Sequence, residues 1–176
     1  MTKTSLFVAM LVAGVAGVAE AGGQPSSIGV GAEAQVNGVG GASLNFDAGA
    51  FHVGGFLGFH DPGNDNDDVF VVGGRFFYHV HSTLTSDFSV GGSIGYVGQN
   101  NPPPVDRETE IYVEPAVQIR AFIVSNVALS FNIGVSIGVV DAESVDLGGQ
   151  LVGGSLNVNG TNVSFGGGAG IHYYFF

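Results

Sequence analysis

Apolar and polar residues alternate with a period of two along most of the chain after Gly22. Between 111 and 123 the odd positions are mostly Ile and Val, whereas the even positions include Tyr, Glu, Gln and Arg. Because successive side chains of a strand point to opposite faces, this period predicts β-strands with one apolar and one polar face. Eight such runs divide the chain: 28–37, 42–48, 50–61, 69–81, 88–98, 111–124, 127–140 and 162–176.

The connections between these runs alternate in length. The short ones are 47–49, 82–87 and 125–126. The longer ones, which are polar or rich in Gly and Pro, are 61–68, 99–110 and 141–161, and the first connection on that side, 38–41, is brief. Short turns at one end and longer loops at the other are typical of outer-membrane barrels. The sequence therefore predicts an all-β fold, a closed antiparallel up-and-down eight-stranded transmembrane β-barrel.

The composition of the two faces separates this fold from a soluble two-sheet sandwich, which also alternates. A sandwich exposes a solvated polar face and buries the apolar one. Here the polar face carries Gly, Ser, Ala, Gln and a few single charges instead of many Lys, Glu and Thr residues. That content is typical of a narrow, filled lumen. We therefore expect the apolar face to point outward into hydrocarbon.

Aromatic residues on the apolar face recur eight positions apart in three consecutive runs. The pairs are Phe51 and Phe59, Phe70 and Tyr78, and Phe88 and Tyr96. For strands tilted by about 40° that rise about 3.3 Å per residue, this spacing separates two rings of side chains by roughly 20 Å. An outer-membrane barrel presents an apolar band about 25 Å tall between two aromatic girdles. The repeat therefore predicts a girdle at each edge of the band.

The first 21 residues differ from the rest of the chain. A short basic start with Lys3 precedes an uncharged and mostly apolar stretch at 6–19, and Ala19-Glu20-Ala21 fits a small-x-small cleavage site. The stretch is shorter than the roughly 20 residues that a membrane-spanning helix needs. An uncleaved N-terminal anchor is the alternative. We expect a cleaved signal peptide over 1–21, a barrel over 22–176, and export to a Gram-negative outer membrane.

The composition excludes several classes of partner. The chain has 15 Asp and Glu residues, 4 Lys and Arg residues, and a formal net charge of −11. This balance argues against nucleic acid, which requires a basic surface. The absence of Cys excludes disulfides and thiolate metal sites. The 31 glycines either relieve crowding inside a small barrel or, at Gly55, Gly74 and Gly92, form a smooth groove toward lipid.

A set of polar residues shares the inward parity and forms the candidate site. It consists of Glu33, Arg75, Glu114, Gln118 and Arg120. An isolated buried ion is costly, so these charges are expected to be paired and hydrogen-bonded. We interpret the set as a structural network that fills the lumen, because an eight-stranded interior is only wide enough for side chains. The alternative is a gated ion path.

Histidine and aspartate clusters are weaker candidates for chemistry. His79 and His81 lie two apart on one run, with His52 and His172 expected at similar depth, but no third metal ligand is evident. The loop at 61–68 is rich in the oxygen ligands that Ca²⁺ prefers, and its candidate ligands are Asp65, Asp67 and Asp68. This loop lacks the pattern of an EF-hand, so we interpret it as a solvated acidic loop and keep calcium binding as the alternative. No confident metal site and no cofactor are predicted.

The signal peptide, the eight runs and the aromatic C-terminal segment at 170–176 together resemble the small outer-membrane barrel superfamily, which includes the OmpA transmembrane domain and OmpX. The resemblance implies that the last strand, ending at Phe176, is recognised by the barrel-insertion machinery. Two features depart from it. The parity places Phe175 rather than Phe176 toward lipid, and Pro115 removes a ladder donor in mid-strand, which predicts a local bulge.

The expected function is that of an integral outer-membrane protein with a structural or surface-interaction role through its acidic loops. Its expected surroundings are outer-membrane lipid and lipopolysaccharide, with divalent cations bridging the acidic rim to phosphates, and it is expected to be a monomer. The alternative is a narrow channel for ions or small hydrophobic solutes. A lipid enzyme is a third class, but no Ser, His and acid grouping supports a nucleophile. The chain is therefore not expected to be an enzyme.

Overall fold

The computed structural model describes residues 25–36, 38–61, 63, 68–99, 108–140, 156–158 and 161–175. The strands are β1 Ser27–Gln35, β2 Gly40–Asp47, β3 Phe51–His60, β4 Val69–Ser82, β5 Ser86–Gln99, β6 Glu108–Val124, β7 Val127–Val140, β8 Leu156–Val158 and β9 Thr161–Phe175. No helix in this part of the chain is long and apolar enough to cross a membrane. The proposed signal peptide at 1–21 lies outside the described residues.

Eight long strands close into one antiparallel barrel. Each strand from β1 to β7 pairs with its neighbour in the chain, β7 pairs with β9, and β1 pairs with β9 to close the sheet. Ile28 of β1 marks the closure, because it lies opposite Phe46 on one side and Phe175 on the other. The three-residue β8 pairs only with the start of β9. The prediction of a closed eight-stranded antiparallel barrel is confirmed.

The two faces of the strands differ as the alternation predicts. Apolar side chains on the outer face are exposed, including Phe131 at 57% and Ile133 at 59%, whereas the alternate residues of the same strand turn into the lumen. The aromatic pairs meet across neighbouring strands, with Phe51 opposite Tyr78 and Phe59 opposite Phe70. Polar side chains therefore fill the interior, and the apolar residues surround it.

Glycines in the lumen make room for large rings. A Cβ atom on Gly29 would lie 2.7 Å from the ring of Tyr174, and one on Gly95 would lie 2.6 Å from the ring of Tyr112. On the outer face, a Cβ atom on Gly55 would approach nothing closer than 3.6 Å. The interior glycines therefore serve packing, in agreement with the interpretation that glycine relieves crowding inside the barrel.

The prediction of a bulge at Pro115 is wrong. Val113 lies opposite Ile137 and Ala116 lies opposite Gly134, so the register between β6 and β7 is the same on both sides of the proline. Proline removes one hydrogen-bond donor without adding a residue to the strand, so the register does not have to change. The shifts in this pair of strands lie between Ile111 and Tyr112 and between Phe122 and Val124.

Candidate functional site

The half of the lumen nearest the short turns, called here the lower lumen, is organised around Arg120. Its Nη2 atom donates to Asp47 Oδ2 at 2.6 Å and to Asp87 Oδ2 at 2.7 Å. Its Nε atom donates to Asp87 Oδ2 at 3.1 Å, and its Nη1 atom donates to the Tyr174 hydroxyl at 3.0 Å. Arg120, Asp47, Asp87 and Tyr174 are each at most 1% exposed. We call these four residues the Arg120 cluster.

The Arg120 cluster joins opposite walls of the barrel. Asp87 near the start of β5 lies directly opposite Arg120 of β6 in the strand register. Asp47 ends β2, which lies four strands from β6 around the closed barrel and therefore opposite it, and Tyr174 lies near the end of β9, two strands from β6. The long guanidinium side chain of Arg120 thus crosses the interior. Charge-assisted hydrogen bonds of this kind are among the strongest in proteins, and they hold the four strands in a fixed relation.

Two histidines extend this network. His79 Nδ1 lies 2.7 Å from the carbonyl oxygen of Gly49, which can only accept, so this nitrogen carries the hydrogen. In the neutral ring, His79 Nε2 is then an acceptor with one lone pair; it accepts from His52 Nδ1 at 2.8 Å and lies 3.0 Å from Arg120 Nη2, whose two hydrogens are directed to Asp47 and Asp87. On the wall formed by β9, His172 Nε2 lies 2.6 Å from Ser43 Oγ. The buried imidazoles therefore act as hydrogen-bonding groups inside the lower lumen.

His81 does not join the other histidines, contrary to the prediction that it shares the lumen with His79. The register between β4 and β5 shifts between these two residues, so that His81 lies opposite Phe88. The side chain of His81 is consequently exposed, whereas His79 is 1% exposed. Among the described residues, no group of three or more His, Asp and Glu side chains is arranged to hold a metal ion.

The half of the lumen nearest the long connections, called here the upper lumen, contains a second and separate group. Arg75 Nη2 donates to Glu33 Oε1, and its guanidinium carbon lies 4.7 Å from the centre of the Phe56 ring. Glu114 accepts a hydrogen bond from the Ser136 hydroxyl. These residues line a cavity of about 40 Å³ that also meets Tyr112, Ser93 and Asn132, together with the glycine-rich backbone at 166–168.

Each end of the lumen has an apolar layer. Val39 in the connection between β1 and β2 turns inward and packs with residues of β3 to β6; this upper cluster consists of Val39, Phe56, Val71, Val97 and Tyr112. At the other end Phe122, Ala128 and Tyr174 pack together beneath the Arg120 cluster. The polar interior therefore lies between two apolar layers. The lower lumen and the upper lumen are its two compartments.

The predicted site residues divide between these compartments. Glu33, Arg75 and Glu114 line the upper cavity, whereas Arg120 belongs to the lower lumen. Gln118 is 2% exposed and lies on β6 between Glu114 and Arg120. The carboxylates that bind Arg120 were missed, because the sequence pattern assigned Asp47 and Asp87 to short connections. Continuing the inward parity from Asn45 and from Ser89 by two residues would have found them.

Several other predicted residues lie beyond the part of the chain that the structure describes. They are the calcium candidates Asp65 and Asp67, and the terminal Phe176. Asp68, the third calcium candidate, is half-buried just before β4. Phe175 is 58% exposed on the outer face, as its parity predicts.

The fold resembles that of a β-barrel domain of known structure. The crystal structure of the N-terminal β-barrel domain of Pseudomonas aeruginosa OprF matches this chain with a TM-score of 0.60 and 11% sequence identity. The match covers 86% of this chain and 98% of that domain. No protein-family model and no curated protein matches the sequence. At this level of identity the similarity supports the eight-stranded barrel fold and assigns no activity.

Proposed function

We propose that this protein is an integral barrel of a Gram-negative outer membrane, with a structural or surface-interaction role through its acidic loops. One observation carries the proposal: a closed barrel exposes a continuous set of large apolar side chains and buries its charges in the middle. A soluble protein rarely exposes apolar patches beyond a few hundred Å². In a bilayer the hydrocarbon chains of the lipid would solvate these apolar side chains. The closed sheet would leave no strand edge with unpaired backbone groups in the hydrocarbon.

Arginine substitutions on the outer face test the membrane location. Ile133 is 59% exposed in mid-strand, whereas Leu84 is 91% exposed in the turn between β4 and β5. In a bilayer, Ile133→Arg is expected to lower the free energy of unfolding by about 2–4 kcal/mol, whereas Leu84→Arg at the end of the barrel changes it by less than about 1 kcal/mol. Urea titrations of folded protein in lipid vesicles measure both. Equal, negligible effects would contradict the membrane location.

Cell fractionation and gel mobility provide an independent check. Full-length protein with its first 21 residues is expected in the outer-membrane fraction, and the mature barrel is expected to migrate differently on an SDS gel before and after boiling. Deletion of Phe176 is expected to reduce insertion, because the resemblance implies recognition of the last strand by the barrel-insertion machinery. Freely dissolved periplasmic protein would contradict the proposal.

The surface role is supported by the arrangement of the connections. The strand ends that flank 61–68, 100–107 and 141–160 lie at the same end of the barrel, and the sequence of each of these segments contains acidic residues. Divalent cations that bridge this rim to lipopolysaccharide phosphates would anchor the protein in the outer leaflet. Chelation by EDTA is then expected to lower the thermal stability in bilayers that contain lipopolysaccharide, but not in phospholipid bilayers. An unchanged stability would contradict the bridging.

A narrow channel remains the alternative function, and the Arg120 cluster argues against it. Side chains from four strands fill the lower lumen, and an apolar layer lies at each end. Purified protein in planar bilayers is therefore expected to show no large, stable conductance. A stable open state in the unmodified protein would favour the channel.

A further inference from the structure

The lumen holds more negative than positive charge. Among the described residues, five inward-facing carboxylates accompany two guanidinium groups; the carboxylates are Glu33, Asp47, Asp87, Glu110 and Glu114, and the guanidiniums belong to Arg75 and Arg120. Four of these carboxylates are at most 7% exposed, and the side chain of Glu33 is 10% exposed. An enclosed charge without a counter-ion is strongly unfavourable. The interior therefore favours the uptake of positive charge.

Glu114 is the carboxylate of the cavity that has no ion-pair partner among the described residues. Its carboxylate accepts a hydrogen bond from Ser136, and in the described part of the chain no cationic side chain lies within 4.0 Å of it. Arg75 is engaged by Glu33, so the three charged residues that line the cavity carry a net charge of −1 when both carboxylates are ionised. In that ionisation state one positive charge, either a proton or a cation, balances the cavity.

Unpartnered atoms in the cavity indicate where a ligand would bind. Glu33 Oε2 is buried and has no hydrogen-bond partner among the described residues, and the same is true of Arg75 Nε. The two side chains are 10% and 7% exposed, and both line the cavity. Glu33 thus offers one free carboxylate oxygen, and the carboxylate of Glu114 supplies more.

The space beside these atoms is small and polar. A cavity needs about 10–15 Å³ to hold one water molecule, so 40 Å³ has room for roughly three water-sized groups. Hydroxyl and amide oxygens of Ser93, Ser130 and Asn132 add neutral ligands to the lining. Gly166 keeps the space open, because a Cβ atom at this position would collide with the carboxylate of Glu114.

We propose that the upper cavity binds one monovalent alkali cation, held between Glu114 and the free oxygen of Glu33 with water and hydroxyl oxygens completing its shell. A single charge matches the net charge of the cavity. Ca²⁺ would require six to eight oxygens with several carboxylates, and the adjacent Arg75 guanidinium would repel a divalent ion. The Arg120 cluster closes the lower side, so the cation is a bound component of the fold and not an ion in transit.

The first test compares cations of different size. Refolded full-length mature protein in a neutral detergent is unfolded with urea in sodium, potassium or tetramethylammonium chloride at equal ionic strength. Above the dissociation constant, each tenfold rise in sodium or potassium is expected to lower the unfolding equilibrium constant about tenfold, as for one site on the folded state. The methyl groups of tetramethylammonium keep its charge from direct contact with oxygen ligands, so this ion is expected to give no such change. Equal responses to all three cations, or none, would overturn the proposal.

The second test removes the negative charge of Glu114. Glu114→Gln is expected to abolish the dependence on sodium, whereas Asp61→Asn, which removes an equal charge from an exposed position, is expected to retain it. Retention of the full sodium response in Glu114→Gln would overturn the assignment of the site. Should that variant fail to fold, sodium NMR of the unmodified protein decides: line broadening that potassium reverses and tetramethylammonium does not supports the site, and its absence overturns it.

Discussion

The lower lumen and the upper lumen both contain arginine and carboxylate side chains, but these residues make different contacts in the two halves. In the lower lumen one guanidinium contacts two carboxylates and a tyrosine hydroxyl, and the side chains fill the space. In the upper lumen Arg75 contacts one carboxylate, two buried polar atoms lack protein partners, and a cavity remains. The lower half therefore acts as a plug, and the upper half has the properties of a binding site.

The contrast shows that the two halves differ in how fully their charged side chains are hydrogen-bonded: every guanidinium nitrogen of Arg120 has a partner, whereas Arg75 Nε and Glu33 Oε2 have none among the described residues. Buried polar networks rigidify a protein when every member is satisfied, and unsatisfied members mark the places where water or an ion is accommodated. Substitutions in the two halves should therefore have unequal effects on stability.

The largest change in unfolding free energy is expected when the guanidinium of Arg120 is removed from the lower lumen. Arg120→Ala leaves Asp47 and Asp87 buried without their cation and is expected to lower the free energy of unfolding by about 3–5 kcal/mol. Arg120→Met combined with Asp47→Asn and Asp87→Asn should recover much of this loss, since no unpaired charge remains. Urea unfolding in lipid vesicles measures both variants. A loss below about 1 kcal/mol for Arg120→Ala would contradict the role of the plug.

Glycine substitutions compare the rigidity of the two halves. Gly29→Ala collides with Tyr174, which Arg120 holds in place, and is expected to cost about 3 kcal/mol. Gly95→Ala collides with Tyr112, which borders the cavity and has space to move, so about 1 kcal/mol is expected. Gly55→Ala on the outer face is the control and should be nearly neutral. Equal losses of unfolding free energy for Gly29→Ala and Gly95→Ala would contradict the expectation that the lower lumen is more rigid than the upper lumen.

The ion pair of the upper lumen is expected to contribute less to stability than the Arg120 cluster. Arg75→Ala breaks the pair with Glu33, but the cavity admits water to the free carboxylate, so a loss of about 1–2 kcal/mol in unfolding free energy is expected. Conductance in planar bilayers should change little, because the Arg120 cluster still fills the lower lumen. A large and stable gain of conductance in Arg75→Ala would show that the upper pair, and not the lower cluster, closes the barrel.

Parity, the composition of the two faces and the alternating lengths of the connections predicted the barrel, and parity predicted the inward direction of the main polar residues. It could do so because the strand period is two, and because a closed barrel with a filled interior has different residues on its two faces. The same rule fails where the register shifts. His81 is two residues from His79 and still turns outward, since the bulge between them is invisible in the spacing. Pro115 shows the converse, a residue that predicts a bulge where none is present.

The pairing of the charges was not predictable from local pattern. Arg120 and Glu114 lie on the same strand and the same face, yet they belong to different compartments. The partners of Arg120 are Asp47 and Asp87, which the sequence places at the ends of runs where turns are expected. Each meets the guanidinium only because the barrel brings the ends of β2, β5 and β6 to one level.

The sequence by itself determined that this chain forms eight strands, each with an apolar outer face and an inner face that carries few polar residues. It could do so because the alternation within each strand defines the two faces of that strand without reference to the others. The tertiary structure decided which charges share a compartment, which glycines face a ring, and where space is left. These depend on contacts across the lumen between strands far apart in the chain, and their geometry is set by the closure and register of the whole sheet.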